Sequence, residues 1–509
     1  MTAAGDVRVE PFDEYNRVLV AQVHPPGWVN PVPAGRYHLV VLGAGTAGLV
    51  TASIAAGLGA RVALIERHLM GGDCLTVGCV PSKALIAAAR SWQSAAESSR
   101  TFGGPAISGK GDFAQVMGRM RRLRAGLSRI DGASRYRDLG VDVFLGEGHF
   151  IAADTLEVGG QQLRFRRAVI ATGARAAVPP ISGLAEAGYL TNESVFSLTE
   201  LPPRLVVLGA GPIGCELAQA FARFGSAVTL LDQADRVLPR DDPDAAAVVA
   251  RAMESDGVRL GLGATIARVE RRGREQIVHF TLEGRAEELA ADQVLVATGR
   301  TPNVEGFGLE VAGVTHGAQG VTVDDRLRTS NRRIYAAGDV CSTYQFTHAA
   351  DAAARLVVAN ALFFGITGGR VTRLVIPWTT YTTPEVAQVG RTELEARAAG
   401  RQIQTITVPM AEVDRAVLEE STSGFLRIHL EAGTDHILGA TLVAEHAGDM
   451  IGEIALAMTA GIGLARIGST IHPYPTQSEV FRKAADAWRR TKLTPTARRA
   501  FQAFFRLLE

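Results

Sequence analysis

Short, almost wholly apolar runs punctuate the first two thirds of the chain, each closed by glycine or an acidic residue. Tyr37-His38-Leu39-Val40-Val41-Leu42 runs into Gly43-Ala44-Gly45-Thr46-Ala47-Gly48. An alanine-rich segment of helical character follows, then Arg61-Val62-Ala63-Leu64-Ile65 ending in Glu66. Such runs suit buried parallel strands, and the succession predicts strand, glycine turn, helix, strand. The pattern recurs at Arg204–Leu208, Gly209-Ala210-Gly211-Pro212-Ile213-Gly214 and Ala227–Leu231 ending in Asp232. Two further strands run into tight turns at Gly173 and Gly299, and Ile334-Tyr335-Ala336-Ala337-Gly338 delivers Asp339 at a strand end. From about Val371 the period changes to two, in Phe425–Leu430 and His436–Val443, which predicts antiparallel strands.

The glycine turns carry the first chemistry. In each unit the acid stands 23 positions after the first glycine. Glycines there permit a tight turn and close approach of backbone to a pyrophosphate, which the helix N-terminus then holds. Gly43, Gly45, Gly48 and Glu66 define one dinucleotide site; Gly209, Gly211, Gly214 and Asp232 define another. Two such sites in one chain imply two dinucleotides that meet. A carboxylate at Asp232 favours a free ribose 2′-hydroxyl and therefore NADH, whereas Arg236 and Arg240 stand close enough in sequence to neutralise a 2′-phosphate. Asp339 sits where such sheets contact ligand, with a helix N-cap as the plainer role.

Between the first unit's strands and its next helix lies Gly71-Gly72-Asp73-Cys74-Leu75-Thr76-Val77-Gly78-Cys79-Val80-Pro81-Ser82-Lys83. An ideal helix would hold residues five apart at roughly 8–9 Å, whereas a disulfide wants about 4.4–6.8 Å between Cα atoms. Bridging Cys74 to Cys79 therefore needs a distorted segment, for which Gly71, Gly72 and Gly78 supply the freedom. A thiolate at the start of the helix opened by Pro81 gains from its dipole, so Cys79 is expected to titrate low. Two free buried cysteines, or half a metal site, are the alternatives. No second ligand pair lies near, so no metal site is expected.

The rest of the composition narrows the class. At 509 residues the chain should hold about three domains, and its net charge of +1 gives no electrostatic case for nucleic acid. The longest apolar candidate, Ile454 to Ala465 between Glu453 and Arg466, is too short to span a bilayer. No signal-peptide layout opens the sequence, which predicts a cytoplasmic protein. The expected divisions are a proline-rich extension (1–36, an ordered arm or a flexible leader), a dinucleotide unit in two parts (37–185 and 316–370), a second unit (186–315), a C-terminal α+β unit (371–492) and a basic, aromatic amphipathic tail (493–509). The tail is expected to pack within the protein or at a dimer contact rather than to anchor in a membrane, since it carries no lipidation signal.

Cys-x4-Cys after one glycine loop, a second loop, a strand-end Gly-Asp and Pro475-Thr476-Gln477-Ser478-Glu479 together resemble the two-dinucleotide disulfide oxidoreductases, which include mercuric ion reductase, dihydrolipoamide dehydrogenase and glutathione reductase. The resemblance implies an α/β fold with two Rossmann-like units, for FAD and NAD(P)H, and a dimerisation domain. It implies a homodimer in which electrons pass from nicotinamide through flavin to a Cys74–Cys79 disulfide and on to a small acceptor. Cys74 would meet substrate, and Cys79 would face the flavin. Lys83 would lie near the flavin, paired with Glu216, and Asp339 would bind the FAD ribityl and pyrophosphate region. The Pro-Thr-x-x-Glu segment would complete the partner's site. Where family members carry histidine five residues before that glutamate, this chain has Tyr474, with His472 two residues earlier. Tyr474 at Pro-Tyr-x-Thr is similar to mercuric ion reductases; their C-terminal cysteine pair is missing, since no cysteine follows Cys341. Asp73 replaces the usual threonine and should raise Cys74 unless neutralised. Dihydrolipoamide dehydrogenase with His472 as base is the alternative enzyme, and a thiol-redox sensor the alternative of another class.

Overall fold

The computed structural model describes residues 7–106, 111–363 and 369–508; residues 1–6 of the extension and Glu509 of the tail lie outside them. Three large sheets organise the molecule. The first carries parallel strands in the order Val141–Leu145, Val62–Glu66, Tyr37–Leu42 and Gln161–Ile170, with Ile334–Ala336 joining parallel to the last. Gly148–Ala152 and Thr155–Val158 extend it as an antiparallel meander. Leu39, Val40, Val41, Val62 and Leu64 have no exposed surface, as expected for strands covered on both faces. The chain leaves this sheet after Ile170 and returns at Ile334, so the strand that delivers Asp339 lies beside the one that ends at Gly173.

The second sheet is wholly parallel, in the order Arg259–Leu262, Ala227–Asp232, Arg204–Leu208 and Gln293–Val296. A three-stranded antiparallel sheet (Thr265–Arg272, Glu275–Leu282, Arg285–Ala291) covers it. Gly173 and Gly299, with φ of +67° and +132°, turn their strands into a shared two-stranded ribbon in which Ala174–Ala176 pairs with Arg300–Pro302. The two Rossmann-like units are therefore stitched at the ends of their central strands. The third sheet is five-stranded and antiparallel: Pro377–Thr380, Glu385–Gly390, Ile437–Ala444, Phe425–Glu431 and Ile403–Pro409. Helices Ala447–Ala460 and Glu479–Thr491 pack on it, completing a mixed α/β fold with an α+β C-terminal part.

Two long elements join the units. Helix Cys79–Thr101 lies against helix Pro212–Phe224, and Trp92 meets Phe224 edge-on with ring centroids 5.0 Å apart. Phe113 from the next helix joins Phe221 and Phe224 in the same cluster. Burial of each such ring contributes about 1.5–3 kcal/mol, so the helix that starts at Cys79 is firmly held. The extension is an ordered arm over residues 7–36. Its helix Glu14–Val23 buries Leu19, Val20 and Val23; the Trp28 indole donates to the Val143 carbonyl at 3.1 Å; and Asn30 exchanges two hydrogen bonds with Leu145. The helix expected to begin at Asp339 starts later, at Thr347 with Phe346 as its N-cap residue, so Asp339 caps nothing.

Candidate functional site

The two cysteines sit on different helices. Cys74 lies on the short turn of helix Gly72–Thr76, and Cys79 opens helix Cys79–Thr101 behind Gly78. Positive φ at Gly71 (+94°) and Gly72 (+57°) makes the break in direction possible. A Cβ on Gly78 would stand 2.7 Å from the Asp73 carbonyl oxygen, and one on Gly72 would stand 2.7 Å from Gly45 Cα. The redox segment is thereby pressed onto the first glycine loop, which is why these positions must be glycine. Both thiols are free in this structure, Cys74 partly buried and Cys79 exposed on the chain's own surface.

The electrostatics separate the pair. The Cys74 thiol hydrogen-bonds to Cys79, and this contact with help from Thr347 and Lys83 pulls Cys79 down to about 6 against its burial. Cys74 is pushed up, first by the same hydrogen bond and then by burial. Thr347 Oγ1 lies 3.4 Å from Cys79 Sγ. Low titration of Cys79 was expected from its helix terminus; the neighbouring thiol is the larger cause. Lys83 Nζ donates to Glu216 Oε2 at 2.8 Å and stands over the Tyr381 ring at 4.5 Å. Burial works against its charge, but Glu216 outweighs it and holds the ammonium above its ordinary range. Glu216 is buried and also accepts from the Tyr381 N–H at 2.9 Å. Stripping Lys83 away would leave that carboxylate uncompensated, a loss of about 3–5 kcal/mol.

Asp73 does not act on Cys74 as a free charge would. Its carboxylate pairs with Arg300, whose Nε also lies 3.4 Å from Asp339 Oδ2. One guanidinium from the ribbon thus neutralises both acids. Burial pushes Asp339 up, and Arg300 opposes that shift. Arg300, Thr347 and Tyr381 were not singled out from the sequence. Their contacts to the segment from Asp73 to Lys83 span more than 200 residues of chain, and no local pattern announces them.

The glycine loops keep their donors available. Helices Thr46–Gly57 and Pro212–Phe224 start behind Gly45 and Gly211 with no side-chain cap, which leaves first-turn N–H groups for an anion. Cβ atoms at Gly43 and Gly209 would collide with the carbonyls of Ala171 and Ala297 at 2.3 and 2.5 Å, and those at Gly48 and Gly214 with the loops' own first carbonyls. Glu66 accepts from the N–H groups of Ala44 (2.7 Å) and His68 (2.9 Å). Asp232 does the same with Ala210 (2.5 Å) and Ala234 (2.7 Å). Each acid therefore braces its own loop, with lone pairs left over. Arg236 is engaged with the Pro239 carbonyl at 2.8 Å, and Arg240 is exposed.

The C-terminal candidates gather elsewhere in the chain. His472, Tyr474 and Glu479 line a cavity of about 340 Å³ together with Arg482 and Ile471. His472 pairs with Glu453 at 2.9 Å, and Glu479 with Arg482. The Tyr474 hydroxyl donates to Asp414 at 2.9 Å, which raises its titration further. None of these three side chains bonds to another of the three. Among the described residues no cluster of His, Cys, Asp or Glu could hold a metal ion, and no helix is long and apolar enough to cross a membrane.

A fold with two Rossmann-like units and a helix-borne thiol pair defines a dinucleotide-dependent disulfide oxidoreductase. Residues 37–354 match the pyridine nucleotide-disulphide oxidoreductase family model, and residues 376–485 match that family's dimerisation domain. The chain belongs to this family, whose members use FAD and NAD(P)H. It is 37% identical to a mercuric reductase of Bacillus cereus, over 87% of this chain and 70% of that protein. To dihydrolipoyl dehydrogenase 3 of Pseudomonas aeruginosa it is 34% identical, over 88% and 97% of the two chains. Among solved structures, the Cu(II) complex of the HOCl-induced flavoprotein disulfide reductase RclA from Escherichia coli superposes with a TM-score of 0.79 at 31% identity, covering 89% of this chain and 99% of that one.

Proposed function

We propose that the protein is a homodimeric flavoenzyme that passes electrons from NAD(P)H through the Cys74–Cys79 pair to a small oxidised acceptor, in the manner of a mercuric reductase. The observation that carries this reading is the placement of the thiols: Cys74 and Cys79 stand on either side of the Gly78 break, on a segment pressed against the first glycine loop, with the Lys83–Glu216 pair one turn along the helix that Cys79 opens. When bound, FAD accepts hydride from the nicotinamide and delivers two electrons to the disulfide. The first glycine loop with Glu66, Gly173 and Asp339 would seat FAD, and the second loop with Asp232 and Gly299 would seat the nicotinamide dinucleotide, NADH in preference. Lys83, fixed by Glu216, holds positive charge beside Cys79. The units so used are 37–185 with 316–370, 186–315 and 371–492.

In the last step the Cys74 thiol and Cys79 thiolate are oxidised back to a disulfide: the acceptor takes two electrons, and the one proton of Cys74 leaves or is transferred with them. A soft metal ion, a disulfide or a quinone satisfies that balance. Tyr474, His472 and Glu479 are the residues that would meet the acceptor from the partner. Both ring nitrogens of His472 face acceptors, the Thr470 carbonyl at 3.1 Å and Glu453 at 2.9 Å, which leaves neither free to take a proton from substrate and favours the mercuric-reductase-like reading over a dehydrogenase that uses His472 as base.

Anaerobic reduction by NADH and, separately, NADPH tests the path. A long-wavelength absorbance band should rise, vanish in Cys79→Ser, and persist in Cys74→Ser, whose turnover with mercuric ion, lipoamide or a quinone should fall by orders of magnitude. Wild-type turnover by Cys74→Ser would overturn the proposal. The band belongs to a group titrating at about 6. It should therefore be full above neutral pH and disappear as pH falls through about 6, because protonation removes the thiolate.

A further inference from the structure

The family-matched sequence ends at residue 485, yet the chain goes on to build helix Pro495–Arg506. That helix is locally well specified. The Thr494 hydroxyl accepts from the Ala497 N–H at 3.2 Å, and proline occupies the first turn. Its root is fastened by Lys492, which donates to the Gly433 carbonyl at 3.3 Å and lies over the Trp488 ring at 5.0 Å. Despite this, none of its residues is buried, so packing within the chain is not what the helix is for. At 100° per residue, Ala500, Phe501, Phe504, Phe505, Leu507 and Leu508 fall on one side. All three phenylalanines are more than half exposed, and Leu507 reaches 84%. Arg499 and Arg506 fall opposite and Arg498 flanks the apolar side next to Phe505, with no ion pair among the described residues. No acidic residue occurs between Asp486 and Glu509, while Arg490 and Lys492 add two more cations, Arg489 being paired with Asp486.

We propose that the Pro495–Arg506 helix is a docking surface for anionic lipid bilayers, lying in the membrane plane with its phenylalanine face among the acyl chains and its arginines at the headgroups. The chemistry is that of an interfacial helix: aromatic and leucine side chains on one face, basic side chains on the other, and no counter-charge. Each cation near a negatively charged leaflet adds attraction that salt screens. A second copy of this chain is the competing occupant, because pairing two such faces would leave both basic rows outward; the run of cations with no acid between Asp486 and Glu509 is what favours an anionic leaflet. Docking would bring the flavoenzyme to the membrane surface, where apolar acceptors partition.

Flotation of the full-length holoenzyme with phosphatidylglycerol-containing vesicles, and with phosphatidylcholine vesicles, tests this. The wild type should float with the anionic vesicles only, and less so in raised salt. Phe504→Ser with Phe505→Ser, and separately Arg498→Glu with Arg499→Glu, should each cut the bound fraction about tenfold or more, with flavin content and reduction by NADH unchanged. Equal binding to neutral vesicles, or none to anionic ones, would overturn the proposal. So would conversion of the dimer to monomer by the phenylalanine substitutions, which would assign the face to a second copy.

Discussion

The two glycine-loop units are built on one plan and finished differently. In both, the acid that ends the second strand reaches back to the N–H of the loop's second residue: Glu66 to Ala44 and Asp232 to Ala210. In both, the first glycine closes on a carbonyl of the neighbouring central strand end. The first loop is then covered. Gly72 of the redox segment comes so close to Gly45 that only hydrogen fits between them, and the Met70 N–H donates to the arm's Val23 carbonyl at 3.2 Å. The second loop is touched by Leu238, whose N–H donates to the Ala210 carbonyl at 2.8 Å, but its middle glycine is left open: a Cβ at Gly211 would meet nothing within 4 Å. A closed seat suits a group that stays, and an open one suits a nucleotide that comes and goes with each turnover.

The strongest way to break that contrast is to add one methyl group to each loop region. At Gly72 it meets Gly45 Cα at 2.7 Å in a backbone with φ of +57°, so something must shift. Gly72→Ala should purify largely without flavin, read as the ratio of visible to protein absorbance. At Gly211 the methyl enters open space on the ligand's side, and Gly211→Ala should keep its flavin while KM for NADH rises about tenfold, worth roughly 1.4 kcal/mol. Full flavin retention by Gly72→Ala would show that the seat is not closed by the redox segment.

The arm sharpens the same contrast, because only the first unit has one. Arg124, fully buried, donates to the Thr76 carbonyl at 2.6 Å and to Asn16 at 2.7 Å, and burial pulls it down to about 10. Thr76 lies between the two cysteines, so the arm helix is tied to the redox segment through one guanidinium. Asn16→Ala should leave a buried donor unsatisfied and cost about 1–3 kcal/mol, seen as a lower denaturant midpoint and faster flavin loss. An unchanged midpoint would show that water replaces Asn16.

Much of this was legible in the sequence wherever chemistry and spacing are local. The glycine loops, their acids, the two thiols and the alternating strands after residue 371 all follow from patterns within thirty residues. Lys83 and Glu216, more than a hundred positions apart, were paired only through resemblance. What stayed hidden depends on the return of the chain. Arg300 quenches Asp73 because a two-stranded ribbon brings it there, and Thr347 reaches Cys79 because Ile334–Ala336 rejoins the first sheet. The tail was visible as amphipathic, but that none of its helical residues is buried among the described residues is a property of surfaces. His472 was visible as a histidine near the right glutamate; that its Nε2 meets Glu453 instead could be seen only in three dimensions.

The smallest expected effect concerns the acids themselves, which perform the same bracing in both units but face different riboses. On the proposed reading the carboxylate of the second unit would also select against a 2′-phosphate, because the two negative charges repel, and Arg236 is engaged with the Pro239 carbonyl. Asp232→Asn keeps one oxygen for the Ala210 N–H and removes the charge. The ratio of kcat/KM for NADH to that for NADPH should then fall by up to about tenfold, equivalent to roughly 1.4 kcal/mol, with flavin content untouched. Glu66→Gln should leave that ratio alone and act only on flavin retention. A fall in the ratio for Glu66→Gln, or a rise for Asp232→Asn, would mean that the open seat and the closed seat have been assigned to the wrong dinucleotides.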